Sequence, residues 1–176
     1  MWTRIGSCGV VLCGALMGAM CGERKPVSAG AAAEAENSAP RPEVCSLLTV
    51  AEIAEATGMK PSDGKPTDYG ATATCNWIAP DGFTPIATAV LSQGMPGMGS
   101  SSEMAKWRLR DGNSYAGIEF KVSPVEGLGV PAVRNEVEGT GLVAVESAVN
   151  GMLLAITTSK LETSKALAAK ALARLQ

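Results

Sequence analysis

The first 42 residues divide into an uncharged apolar run and a stretch with almost nothing to bury, so they set the size of whatever this chain folds into. Met1-Trp2-Thr3-Arg4 supplies a short positive start, residues 5–20 run without a charge, and charges resume at Glu23, Arg24 and Lys25. That layout predicts a bacterial secretory signal. The alternative is a membrane-spanning anchor, which takes ~20 strongly apolar residues, whereas Gly6, Gly9, Gly14 and Gly18 dilute this run. Cys21 stands where a lipoprotein signal places its modified cysteine, after Gly18-Ala19-Met20, although a lipobox usually has Leu and a small residue in the flanking places that hold Gly18 and Met20. Ile5-Gly6-Ser7-Cys8 fits that pattern better but leaves no apolar region upstream, and Val27-Ser28-Ala29 offers an ordinary secretory cut near Ala29. Lipidation at Cys21 is the favoured expectation, with the signal over residues 1–21.

Residues 22–42 are mostly Ala, Pro, Glu and Gly, too poor in apolar side chains to offset the entropy of ordering them. They read as a flexible spacer holding a domain clear of a membrane. Residues 43–176 remain, enough for one domain. Apolar residues make up 46% of the chain but aromatics only 4%, so the core must be built from Ala, Val, Leu, Ile and Met.

A formal charge of −2 argues against a general nucleic-acid binder, which needs surplus Lys and Arg to displace counterions. The chain has no His. That removes the commonest general base, the commonest zinc ligand and every Ser-His or Cys-His nucleophile pair. Cys8, Cys13 and Cys21 belong to the export segment, leaving Cys45 and Cys75 for the folded part. An even pair in an exported protein reads as a disulfide. The alternative is a metal or redox pair, but such sites usually show close C-x-x-C spacing with further ligands, and neither is present in the sequence.

Along the domain, Thr49 with Glu52 reads as a capping box opening a helix that Gly58 stops, with Leu48, Ile53 and Ala56 as its buried stripe. Residues 61–70 read as a loop. Residues 71–79 and 84–93 read as strands joined by a Pro80-Asp81-Gly82 turn. Residues 94–102 read as a flexible crossing. Residues 103–110 fit both a helix lined by Met104, Trp107 and Leu109 and a strand with Ala105, Trp107 and Leu109 on one face; the serines and Glu103 ahead favour the helix. Strands are expected over 117–122, 132–137, 142–147 and 152–158, the last two joined by Asn150-Gly151. Ser159, with Glu162 as capping-box partner, is expected to cap a final helix whose apolar face is Leu161, Ala168, Ala171, Leu172 and Leu175, with Lys170 and Arg174 favoured by the helix dipole. The fold class predicted is α+β, a mostly antiparallel sheet with helices packed on at least one face, in the order α-β-β-α-β-β-β-β-α.

Cys45-Ser46-Leu47-Leu48-Thr49 with Ala51-Glu52-Ile53, then Cys75-Asn76-Trp77, then Gly127-Leu128-Gly129 with Ala132 resemble the small secreted lipoproteins grouped as domain of unknown function 3558. The similarity covers about residues 43–176. It implies an exported, often lipidated protein with a non-catalytic envelope role, and supplies no functional residues.

Candidate chemistry is sparse. Met95 and Met98, with Met104 nearby, could bind a soft ion such as Cu(I), although methionines in a mobile loop more often cover apolar surface. Glycines ahead of Ser100-Ser101-Ser102 could cradle an anion but lack the G-K-[ST] ending of a phosphate loop. Lys106, Arg108 and Arg110 form a basic cluster that reads as a solvated face. Asp63, Asp68 and Asp81 read as turn residues. The expectation is a non-catalytic binding or structural domain, without a cofactor, held to the extracytoplasmic side of a membrane by a lipid anchor and meeting an envelope protein or ligand. A copper-binding protein is the alternative, free secretion or a periplasmic location the alternative localisation, and an enzyme the third reading.

Overall fold

The computed structural model describes residues 41–93, 100–110, 114–115 and 118–176. Residues 1–40, over which a signal and most of a spacer are expected, and the Met95/Met98 stretch lie outside the described residues. A single 3-10 turn, Val44–Leu47, carries Cys45 and leads into α1, Val50–Thr57. The expected capping box is formed: the Thr49 hydroxyl accepts the Glu52 N–H at 3.2 Å, and the Thr49 N–H donates to the Glu52 carboxylate at 2.9 Å. Gly58, at φ 73°, ends the helix in the left-handed conformation. Leu48 and Ile53 are buried, and Ala56 packs against the same core.

The strands are β1 (Lys65–Asp68), β2 (Thr72–Ile78), β3 (Pro85–Gln93), β4 (Ser114–Tyr115), β5 (Ile118–Val125), β6 (Ala132–Val137), β7 (Val143–Val149) and β8 (Met152–Thr158). They form one antiparallel sheet in the order β1-β2-β3-β8-β7-β6-β5-β4, in which β4 is a two-residue extension pairing only with Ile118 and Glu119. The α+β class with a mostly antiparallel sheet is thus what the chain adopts, but with two more strands than the expected order. β1 falls in the stretch expected as loop, and the reason is its sequence: Lys-Pro-Thr-Asp has no apolar alternation, and all four residues are exposed. Only its pairing with β2 makes it a strand. Pro66 is tolerated there because β1 is an edge.

Two meanders, β1-β2-β3 and β4 through β8, are stitched together by the β3–β8 ladder, in which Ala89 faces Ile156 and Leu91 faces Leu154. The β7–β8 hairpin turns through Asn150 and Gly151, both at positive φ (50° and 72°), as a two-residue turn requires. The Asn150 side-chain amide also donates to the Leu175 carbonyl at 2.6 Å, satisfying one of the last orphan acceptors of α3.

α3 spans Leu161–Leu175 and buries Ser164, Leu167, Ala168, Ala171, Leu172 and Leu175. Its cap differs from expectation: Lys160, not Ser159, occupies the N-cap position and makes no side-chain cap. The Thr158 hydroxyl accepts the Lys160 N–H at 3.2 Å and lies 2.9 Å from the buried Ser164 hydroxyl, so a residue of β8 organises the turn instead. Residues 103–110 are helical, in α2 (Ser101–Arg110), with the Ser100 hydroxyl accepting the Glu103 N–H at 3.2 Å. Its buried stripe is corrected too: Met104 and Ala105 are inside and Arg108 is half-buried, whereas Trp107 and Leu109 are exposed.

The helices take opposite faces. One side of the sheet carries Cys75, Trp77, Ala87, Ala89, Leu91, Val145, Leu154 and Ile156 and packs with α3, α1 and the 3-10 turn into the main core. The other side carries Val133, Ala148, Val122 and Leu153, against which α2 sets Met104 and Ala105. Three layers result, the sheet in the middle.

Candidate functional site

The cysteines predicted to pair are joined: Cys45 and Cys75 form a disulfide with their Cα atoms 5.2 Å apart. The bond ties the 3-10 turn to β2, and Cys75 is fully buried beside Trp77 in the main core. Its position is that of a structural cross-link.

Most charged side chains tie elements together. Arg108 of α2 reaches through the smaller core to Glu146 of β7, with its Nε and Nη2 donating to the two carboxylate oxygens at 2.6 Å each. Asn135 of β6 donates a third bond to Glu146 at 3.0 Å, and its own side-chain oxygen is buried with no partner. The basic cluster read as a solvated face therefore divides: Lys106 and Arg110 are exposed, while Arg108 points inward. Its guanidinium also lies 5.4 Å from the Trp107 ring centre, within cation–π range. On the other face, Arg174 at the end of α3 donates to the Leu47 carbonyl at 2.6 Å and to Glu52 at 2.9 Å, and Lys170 pairs with Glu55 at 2.9 Å. These two cations bridge to α1 rather than merely easing the helix dipole. The Arg174 hydrogen bond, with those from Thr49, lowers the Glu52 pKa to about 2.

Two of the three acids read as turn residues brace chain reversals. Asp68 accepts from the Gly70 N–H at 2.8 Å and pairs with Arg41, whose guanidinium holds its pKa below the usual range. Asp81 accepts from the Thr84 hydroxyl and from the Thr84 and Phe83 N–H groups, which lower its pKa in the same direction. Asp63 lies in the loop before β1.

Of the candidate soft-metal set, Met104 is fully buried between α2 and the sheet, packing with Val133 and Ala148, and serves as a core residue; Met95 and Met98 lie outside the described residues. Among the described residues no group of three or more His, Cys, Asp or Glu is placed to hold a metal ion. No described helix is long and apolar enough to cross a membrane.

Two surfaces stand out from this framework. The first is the sheet face beyond the α2 footprint, where the register aligns Lys65, Asn76, Thr88 and Thr157 in one row and Thr67, Thr74, Val90 and Ala155 in the next. The hydroxyls there are mutually ordered, with Thr88 donating to Asn76 at 2.8 Å and Thr72 lying 2.9 Å from Ser92. The second is the end of the sheet where β2 hands over to β3, around Ile86 and Thr158, which carries exposed Met59, Phe83 and Leu142. Sequence reading missed both, because strand pairing creates the first and chain reversals create the second. A cleft of about 210 Å³ also lies between Gly127-Leu128 and Lys165 of α3.

No protein-family model matches the chain, and no curated protein matches it significantly.

Proposed function

We propose that this chain is an exported lipoprotein of the cell envelope, similar to the secreted proteins grouped as domain of unknown function 3558. Cys21 carries the lipid, residues 22–42 are the tether, and the α+β domain is a non-catalytic binding module on the extracytoplasmic side. The observation that carries the reading is the Cys45–Cys75 disulfide, since such bonds persist in oxidising compartments. The charged side chains support the non-catalytic part: Arg108, Glu146, Arg174, Glu52, Lys170 and Glu55 are engaged in holding helices to one another and to the sheet. A sheet face studded with ordered hydroxyls and an apolar end then serve as contact surfaces rather than reaction sites.

The test is the intact mass of the mature protein from its native host, unreduced and reduced, alongside membrane fractionation. A membrane-bound protein starting at Cys21 with a diacylglycerol mass, gaining two hydrogens on reduction, is expected. An unmodified N-terminus near Gly30 in the soluble fraction overturns the tether, and a free-thiol protein in the cytoplasm overturns the export.

A further inference from the structure

The exposed apolar residues at the Ile86 end share one local construction. Thr57-Gly58-Met59 ends α1, Asp81-Gly82-Phe83 joins β2 to β3, and Thr140-Gly141-Leu142 joins β6 to β7. In each, the side-chain oxygen of the first residue accepts the N–H of the third, at 3.2, 2.9 and 3.2 Å respectively. The middle residue is a glycine at positive φ: 73°, 79° and 66°. Only glycine adopts that conformation without strain. The third residue is large and apolar, and it faces solvent: Met59 is 46%, Phe83 89% and Leu142 39% exposed.

The three are gathered at one end of the molecule. Met59 borders a cleft of about 120 Å³ with Ile86, Thr158 and Lys160. Leu142 borders a neighbouring cleft with Pro85, Ile86 and Thr158. Phe83 stands in the turn that feeds Pro85 into that same wall. Met59 and Leu142 thus flank clefts that share one buried residue, Ile86, and Phe83 stands exposed in the turn just before it. Isolated exposed apolar residues need no explanation, but several gathered at one end, bordered by polar groups, point to a contact site.

What occupies it follows from charge and position. Lys60, next to Met59, and Lys160, in its cleft, are exposed, and among the described residues neither side chain makes an ion pair. A carboxylate, Asp81, accepts the Phe83 N–H in the same turn. That mixed rim suits a protein interface, with an apolar centre and a polar border, better than an anionic bilayer, which Asp81 would oppose. Position agrees. Arg41, the first described residue, is pinned to Asp68 and the Gly70 carbonyl at the start of β2, so the tether joins at the far end of that strand. β2 spans seven residues, roughly 20 Å at the usual strand rise.

We propose that this end is a docking surface for a partner protein, one that receives Met59, Phe83 and Leu142 in apolar pockets and sets an acidic rim against Lys60 and Lys160. The proposal deepens the reading of the domain as a binding module and rests on it. Hydrogen-bonded turns lower the backbone ordering cost of binding, and central aromatics dominate such interfaces.

The test places a photo-crosslinking amino acid at Met59, Phe83 or Leu142 of the full chain in its host. Tyr69, 71% exposed beside Gly70 at the tether end, is the control position. One protein captured from all three positions and not from Tyr69 is expected. That protein is then purified and titrated. Phe83→Ser is expected to weaken binding about tenfold or more, as loss of an aromatic anchor does, and Tyr69→Ser to leave it unchanged. Lys60→Glu with Lys160→Glu is expected to weaken it further, most at low salt. Unchanged melting of Phe83→Ser confirms its fold. Lipid adducts alone, a self-adduct, unrelated adducts at the three positions, equal capture at Tyr69 or no adduct each overturn the proposal. Intact mass separates the two readings: a soluble, unlipidated protein that still gives the shared adduct loses the tether and keeps the surface, and a lipidated one without it does the reverse.

Discussion

Gly64 lies against the disulfide so closely that a Cβ there would stand 2.5 Å from the Cys75 sulfur and 2.9 Å from the Trp77 indole nitrogen. Its role is close approach rather than an unusual backbone, and nothing in an Asp-Gly-Lys sequence announces it. Gly64→Ala must displace a rigid cross-linked core, and overpacking of that kind costs about 1–3 kcal/mol; urea unfolding of the oxidised protein measures it. Glu146 is a second residue whose weight comes from its surroundings, since its carboxylate is buried and meets Arg108 and Asn135. Glu146→Ala strands a half-buried guanidinium and is expected to cost about 3–5 kcal/mol. Replacing the pair together, as Arg108→Met with Glu146→Leu, is expected to recover much of that loss. A double-mutant cycle by denaturant unfolding checks both statements.

Elements were legible where local chemistry specifies them and obscure where pairing does. α1 could be read to the residue because Thr49, Glu52 and Gly58 are start and stop signals in their own right. The β7–β8 hairpin was equally plain, since Asn150-Gly151 supplies the two positive φ angles it needs. β1 was hidden because an edge strand of exposed residues has no apolar alternation to read. The stripe of α2 was misread because Arg108 takes an inward place that apolar counting gives to Trp107 or Leu109. Of the candidate site, the disulfide cysteines were legible as an even pair, and the three turn-borne apolar residues were not, because their convergence depends on the sheet. The junction of α1 with α3 carries an element-scale prediction. Glu52 has its pKa lowered from 4.5 to about 2, first by Arg174, so the stabilisation it gives is complete above pH 4.5 and is lost as pH falls towards 2. Asp68 and Asp81 are shifted the same way and add to this acid sensitivity. Arg174→Ala is expected to flatten the Glu52 share of the decline, which thermal melts of both proteins from pH 5 to pH 2 reveal.

At the scale of the whole molecule, the disulfide closes a sequence separation of 30 residues that includes α1 and β1. On the chain-entropy relation that loop contributes about 3–4 kcal/mol. Reduction is expected to lower the unfolding free energy by about that amount, and Cys45→Ala plus Cys75→Ala, which cannot form the bond, to lower it similarly without any reductant. Calorimetry of the oxidised, reduced and doubly substituted proteins compares them. The sheet order has a temporal side as well. β3 ends at Gln93, yet its second neighbour, β8, begins only at Met152, and α3, which covers the main core, comes later still. Long-range pairings of this kind form late, because the intervening chain must be gathered first. The N-terminal meander therefore waits with one side of β3 unpaired until nearly the whole chain has been made. A chain with this order of pairing closes its sheet late, and such a delay is what the export proposed above would ask of it, since a chain crosses a membrane more readily before it folds.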